Sequence, residues 1–348
     1  MTCDYFVAID NKLRPLLKEI DDLDKNIAEK KVQINNLKRT KSNSSSVENE
    51  KRELEKQRKK KWEMAYNLTP YFSSHWKALS SLYLAENDSP IAKLVRDRYV
   101  ELQYREGSQR INKEIENNHL TKFLETFKIP KTDISLFPPY SFFLQFSFKL
   151  ASPFISKDDE EFYIIDNPVR KDKVFKVPMV SGSTWKGNLR WTAGHIAGSA
   201  YTKEIRDLFG NEKDEGKDFR RGRLNFYPTF FDQISLEVIN PHDRKTKAGT
   251  QPIYIESVPE GASGTFSLLY VPFDLMGKRQ DEVKAEVKKD MEIVSDSLEK
   301  MMRTYGFSAK KGSGFGVVKE EIKGRFNDKE FSGFKGLKKM MEETHNDR

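Results

Sequence analysis

The chain has 348 residues, 37% hydrophobic and 33% charged, and its 61 basic and 53 acidic side chains leave a net charge of +8. That length favours two structural units over one, and the single cysteine, Cys3, excludes an internal disulfide and a thiolate zinc cluster. No apolar run approaches the roughly 20 residues of a membrane span, and the opening residues are too charged for a signal peptide, which points to a cytoplasmic protein with no membrane partner.

Residues 1–136 read as helix. Leu16, Ile20, Leu23, Ile27, Ile34 and Leu37 recur in steps of three and four, with Lys30 in one seam position, a short heptad pattern. The serine-rich "RTKSNSSSVENE" suits a hairpin tip, and "KRELEKQRKKKWEMAYNL" resumes the helix, predicting an antiparallel coiled-coil arm. Further helices are expected around Trp76–Leu84, Ile91–Leu102 and Ile111–Phe127. The run "EKQRKKK" reads as a solvated helix face, with RNA contact the alternative.

Pro138 and Pro139 end the helical part. In "SFFLQFSFKLASPF", Phe142, Leu144, Phe146 and Phe148 alternate with other residues as a strand does. A long loop, a glycine turn and a helix from about Trp185 to Gly198 follow, then strands in "GRLNFYPTFF", "QPIYIESVP" and "GTFSLLYVPF". A second helix, near Asp281–Tyr305, carries Val283, Val287, Met291, Val294, Leu298 and Met301 at helical spacing, a core face. The glycine-rich "GFSAKKGSGFGVVKEEI" then leads into a strand. Strands interleaved with two packed helices predict an α+β domain over residues 137–326, with a helical tail over 327–348.

The chemistry concentrates in two glycine-containing segments. "VSGSTWKGNLR" is not a Walker loop, which needs four residues between its first glycine and Gly-Lys-Ser/Thr. Gly182 permits a tight turn, Ser183 or Thr184 can cap the following helix, and its first amides face an anion. Lys186 and Arg190, four apart, share a helical face and can hold successive phosphates. A basic chain with 24 Phe, 13 Tyr and 4 Trp fits a nucleic-acid binder, though an ordinary lysine surplus fits the charge as well. The histidines, at 75, 119, 195, 242 and 345, show no metal-ligand spacing. His195 is accounted for by core packing or helix-end polarity.

In order along the chain, "IDNPVRKDKVFKVPMVSGSTWKGNLR", "DLFGNE", "GRLNFYPTFF", "NPHDRKTKAGTQPIYIESVPEGASGTFSLLY" and "KKGSGFGVVK" resemble the RAMP superfamily of CRISPR-associated proteins, over about Ser141 to Lys323. The resemblance is to the backbone subunit of type III effector complexes. It implies a ferredoxin-like, RNA-recognition-motif-type core that polymerises along a CRISPR RNA with other CRISPR effector subunits. It implies that Ser183, Lys186 and Arg190 touch the guide backbone. Gly312, Gly314 and Gly316 would let the terminal loop approach that backbone, with Lys310 and Lys311 supplying charge. It implies a finger-like hairpin with His242, Arg244 and Lys247 facing RNA. Asp166 falls where the family carries its catalytic aspartate, which implies cleavage of the target RNA with Mg²⁺ or another divalent metal through attack of a ribose 2′-hydroxyl. Asp158, Asp159 and Asp172 read as solvated loop acids, and the alternative for Asp166 is a local cap or a salt bridge to Arg170. The competing functions are a non-catalytic scaffold or capping subunit binding guide RNA only, and a repeat-processing endoribonuclease. Two features depart from the family: the helical residues 1–136 before the first strand, and the bulky Trp185 in the turn.

Overall fold

A computed structural model describes residues 2–40, 43–67, 132–158, 167–173, 177–198, 202–211, 221–240 and 253–346. They divide into two compact units, residues 2–67 and residues 132–346. The helices expected between residues 76 and 127 lie outside the described residues.

The first unit is a helical hairpin, α1 over Thr2–Arg39 and α2 over Ser45–Asn67. Ion pairs joining Lys30 to Glu50 (2.5 Å) and Arg58 to Asp24 (2.7 Å), together with Lys61 to Glu19, run in opposite chain directions, so the helices are antiparallel. The predicted seam is met in part. Ile20, Ile27 and Ile34 are buried, but Leu13 and Leu17 are the deeply buried leucines, whereas Leu16, Leu23 and Leu37 are only half-buried. The tip has local reasons to turn: the Asn43 side chain accepts from the Ser45 amide at 3.0 Å, and Ser44 donates to Glu48 at 3.0 Å.

The second unit is built on β1 (Phe142–Lys149). Its even-numbered residues Phe142, Leu144, Phe146 and Phe148 are buried as a row, while Ser147 and Lys149 face out, the alternation expected of a strand with one covered face. After β1 come β2 (Met179–Val180), α3 (Gly182–Ile196), α4 (Lys203–Phe209), β3 (Leu224–Phe226), β4 (Thr229–Phe230), the hairpin β5 (Ser235–Ile239) and β6 (Ile253–Ser257), and β7 (Ser263–Tyr270). Then follow α5 (Gln280–Lys300), β8 (Lys323–Phe326), β9 (Lys329–Ser332) and α6 (Gly333–Asn346). The main sheet has the order β3-β7-β1-β8-β9, every pairing antiparallel. Taken as β1-α3-β3-β7-α5-β8, this is the βαββαβ arrangement of a ferredoxin-like fold, and the α+β expectation holds.

One sheet face is apolar and packs under the helices. Phe142, Phe146, Phe266, Leu268 and Tyr270 join Trp185 and Leu189 of α3 and Val287, Met291, Val294 and Leu298 of α5 in one core. The helix expected to run to Tyr305 is α-helical to Lys300, and Met301–Tyr305 continue it as a wider π turn. The residues expected as a tail from 327 onward include β9, which completes the sheet edge, and α6, whose Phe334, Leu337 and Met341 are buried in the same core. The helical part of that expectation is present as α6, and ahead of it the turn at Asn327 (φ +52°) folds β9 back onto the edge that β8 would otherwise leave unpaired.

A buried charge network stitches α4, β3, β7 and α5. Arg223, 2% exposed, donates Nε and Nη2 to the two oxygens of Asp274 (2.9 and 2.6 Å) and Nη1 to Asp290 (2.6 Å), and the Tyr270 hydroxyl donates to Asp290 at 2.6 Å. Burial pushes the Asp290 carboxyl up to about 6 in spite of the guanidinium beside it.

Candidate nucleic-acid interface

The start of α3 is set by Ser181, not by Ser183 or Thr184 as expected. Ser181 is extended (φ −71°, ψ 155°) and its Oγ accepts from the Thr184 amide at 3.2 Å, as an N-cap requires. Ser183 stays exposed, its hydroxyl 2.9 Å from that of Ser181. Gly182 is the first helical residue, and its value is space, not a turn: a Cβ there would lie 2.5 Å from the Phe226 carbonyl oxygen of β3. Trp185 is fully buried, with its indole N–H donating to Thr229 Oγ1 (3.0 Å), which donates on to the Thr265 carbonyl (2.7 Å). That anchor pins α3 to β4 and β7 and fixes which of its faces looks outward.

On the other side of α3, Lys186 is half-buried and makes no hydrogen bond or ion pair among the described residues. Burial, with a smaller contribution from Arg190, holds its ammonium below the ordinary lysine value. A desolvated cation beside a second cation has no compensating charge among the described residues. Arg190 shares the helix with it but is also used internally, donating Nη1 to the Gly210 carbonyl at the end of α4 (3.2 Å).

The terminal glycine loop reaches the same helix. Its roots are tied to the residues after β1: Ser308 Oγ donates to the Ile155 carbonyl and accepts from the Ile155 amide (both 2.8 Å), and the Gly316 amide donates to the Pro153 carbonyl (2.9 Å). Gly316 sits at φ +74°, where a side chain is strained and its Cβ would collide with Ser308; Gly314 is also left-handed, at φ +81°. Gly312 lies on the short 3₁₀ turn Lys311–Ser313 with open space around it, so its lack of a side chain keeps the surface low. Lys310 is exposed in a left-handed conformation (φ 58°). Lys311 folds back, donating to Asn188 Oδ1 (3.1 Å) and lying 4.2 Å from the Trp191 ring centroid. Burial lowers its pKa as well. Asn188 donates in turn to the Thr184 carbonyl (3.0 Å) and the Phe307 carbonyl (3.3 Å). The structure thus places Ser183, Lys186 and Arg190 on α3 and brings Lys311 onto it, with Lys310 exposed beside Lys311 in the loop. The sequence reading missed Asn188 and Trp191, whose partners lie about 120 positions away and leave no local signal. Of the two explanations offered for His195, core packing and helix-end polarity, the position fits the second: it is exposed in the last turn of α3, parallel to Trp191 (5.2 Å, 5°).

The other expected residues fall elsewhere. Asp166 and Asp159 lie outside the described residues, as do His242, Arg244 and Lys247, which belong to the connection between β5 and β6. The described neighbours of Asp166 are firmly held. The Asn167 carbonyl accepts from the Glu256 amide of β6 (2.9 Å), and Glu256 Oε2 accepts from the Val169 amide (3.2 Å) and pairs with Lys171 Nζ. Both charged side chains are buried, Lys171 to 2% and Glu256 to 1% exposure. Asp158 is engaged as well, its Oδ2 accepting from the Lys171 amide at 3.2 Å. The chain following Asp166 is therefore fastened to the root of the β5–β6 hairpin.

Residues 147–319, which include both glycine segments, match the RAMP superfamily. The CRISPR system Cms endoribonuclease Csm3 of Streptococcus thermophilus is 29% identical over 162 residues, 43% of this chain and 73% of that protein. Among solved structures, a cryo-EM structure of the Type III-B Cmr-beta bound to cognate target RNA aligns over 68% of this chain and 78% of that one, at 19% identity and a TM-score of 0.41. Among the described residues no helix is long and apolar enough to cross a membrane. The βαββαβ core, the capped glycine turn and the terminal loop in their expected order, together with the sequence match, show a RAMP superfamily region over residues 147–319, and the chain resembles backbone proteins of the type III CRISPR kind.

Proposed function

We propose that this chain holds CRISPR RNA along α3 and the terminal glycine loop, within an effector complex of several subunits, and cleaves complementary target RNA at Asp166. The observation that carries the reading is the uncompensated, half-buried Lys186 beside Arg190, with Lys311 brought onto the same helix from across the chain. Ser183, with its exposed hydroxyl, and the glycine-lined loop give a sugar-phosphate backbone close access, and Lys186 offers the charge that a phosphate neutralises.

For cleavage, the attacking group is a ribose 2′-hydroxyl of the target. Its oxygen forms a bond to the adjacent phosphorus, the bond to the 5′-oxygen of the next nucleotide breaks, and a proton moves from the 2′-oxygen to the departing one. Asp166 orients that hydroxyl and accepts its proton. Its carboxylate is also a hard-oxygen donor of the kind Mg²⁺ or a similar divalent ion takes, with RNA phosphate oxygens completing the set. Such an ion, when bound, offsets charge on the phosphate. The Asn167–Glu256 hydrogen bond and the Lys171–Glu256 pair fasten the residues that follow Asp166 in sequence to β6, and the segment joining β5 to β6 contains His242, Arg244 and Lys247.

The test is target cleavage by the reconstituted complex carrying Asp166→Ala, with and without Mg²⁺. Loss of cutting with normal assembly and guide binding is the expected result. Unchanged cutting by an intact complex removes Asp166 as the catalyst and leaves a guide-binding scaffold.

A further inference from the structure

The residues proposed to hold the guide are cations and hydroxyls, which address phosphate. Beside them, α3 presents a feature that phosphate chemistry does not use. Trp191 is 47% exposed, unusual for the largest apolar side chain on a helix otherwise anchored by a fully buried tryptophan. His195, one turn on and also exposed, lies parallel to it with centroids 5.2 Å apart and 5° between planes. Tyr305, from the π turn after α5, stands edge-on to both, 5.3 Å from each centroid and at 86° and 87°. Three rings from two elements are therefore pre-set in an offset-stacked and edge-to-face arrangement. A cation adjoins them: Lys311 Nζ lies over the Trp191 ring, 4.2 Å from its centroid, and is bonded to Asn188, two residues from Lys186 along α3.

Exposed aromatic rings cost solvation unless something covers them, and the neighbouring charge is positive. A partner that brings a flat π face and a negative backbone together satisfies both, and an unpaired nucleotide of an RNA strand has that combination. A membrane or an acidic peptide would meet the cations but not supply a planar face. We propose that Trp191 and His195, braced by Tyr305, form a stacking shelf for an unpaired RNA base next to the backbone track at Lys186 and Lys311. The shelf rests on the reading of α3 as an RNA-binding helix and adds to it a second, non-ionic contact. Because every base has a π face, it holds RNA without reading sequence.

The full-length chain is titrated with a short unpaired oligoadenylate and with the matching abasic ribose-phosphate oligomer, across a salt series. Trp191→Ala weakens binding of the oligoadenylate about tenfold, the equivalent of ~1.4 kcal/mol and within the range for one stacked base. It leaves the abasic oligomer and the salt slope unchanged, and Trp191→Phe, which keeps a ring, recovers most of the loss. Lys186→Ala behaves in the opposite way, weakening both oligomers and flattening the slope by roughly one phosphate contact. Equal affinity of wild type and Trp191→Ala for the oligoadenylate overturns the shelf. So does an equal loss on both oligomers, which would mean that Trp191 acts by holding Lys311. An unaltered slope in Lys186→Ala alongside a base-dependent loss in Trp191→Ala would instead keep the shelf and refute the phosphate track.

Discussion

The Lys171–Glu256 pair joins the chain after Asp166 to the base of the β5–β6 hairpin, and its burial sets a measurable cost for breaking it. With both side chains at 2% exposure or less, solvent cannot compensate whichever charge is left behind. Removing one partner of such a pair costs about 3–5 kcal/mol, and Glu256→Ala also strands the Val169 amide that Oε2 accepts from. In a unit of this size each kcal/mol moves the melting temperature about 2–4 °C, so Glu256→Ala and Lys171→Met should each lower it by about 6–20 °C. The double variant Lys171→Met, Glu256→Gln is expected to recover most of this, since a glutamine still accepts from Val169 and methionine fills the lysine's volume without a charge. Thermal unfolding of these proteins together with Glu256→Gln alone, followed by circular dichroism, closes the cycle and gives the coupling between the two sites. Additive losses in the double variant, or a fall of less than about 2 °C in either single one, would refute the argument that a desolvated charge holds this junction.

Two glycines bracket the turn at the start of α3 and should respond oppositely to alanine. Gly182→Ala forces a Cβ onto the Phe226 carbonyl and is expected to cost about 1–3 kcal/mol while displacing Ser183 and Lys186; Gly187→Ala meets open space inside a helix and should stabilise by about 0.5–1 kcal/mol. Denaturant unfolding of both checks this, and equal effects of either sign would contradict it. Asp290 should impose a pH dependence on stability. Its folded value of about 6 lies above the usual carboxylate value near 3.9, so between roughly pH 4 and 6 the folded chain binds a proton that the unfolded chain has released. Stability therefore falls as pH rises through that window, and Asp290→Asn should abolish the slope. A variant that keeps the wild-type slope in urea titrations would assign it to another group.

Much of the second unit was legible because its signals are local. The alternation of Phe142, Leu144, Phe146 and Phe148 marks a half-covered strand, and Val283, Val287, Met291 and Leu298 mark a helix, whatever they pack against. The hairpin tip after Arg39 was equally readable from its serines and asparagine. The seam of α1 was harder, since heptad steps starting from Leu16 or from Leu13 look alike until the residues covering them are known. Residues 329–332 resisted for a similar reason: a short strand after a turn has no periodicity to separate it from a tail, and only pairing with β8 makes it part of the sheet.

By itself the sequence determined β1, α3 and α5 and their order, the two glycine segments and the family they resemble, because each depends on residues within a few positions of one another. Tertiary structure alone decided that Ser181 is the cap, that Gly182 is there for the carbonyl of Phe226, and that Lys311 meets Asn188 and Trp191 across 123 and 120 positions. It also decided that Lys171 finds Glu256. These are contacts between segments distant along the chain, formed when the core closes and a partner's position is set by packing, so no local pattern of residue types could contain them.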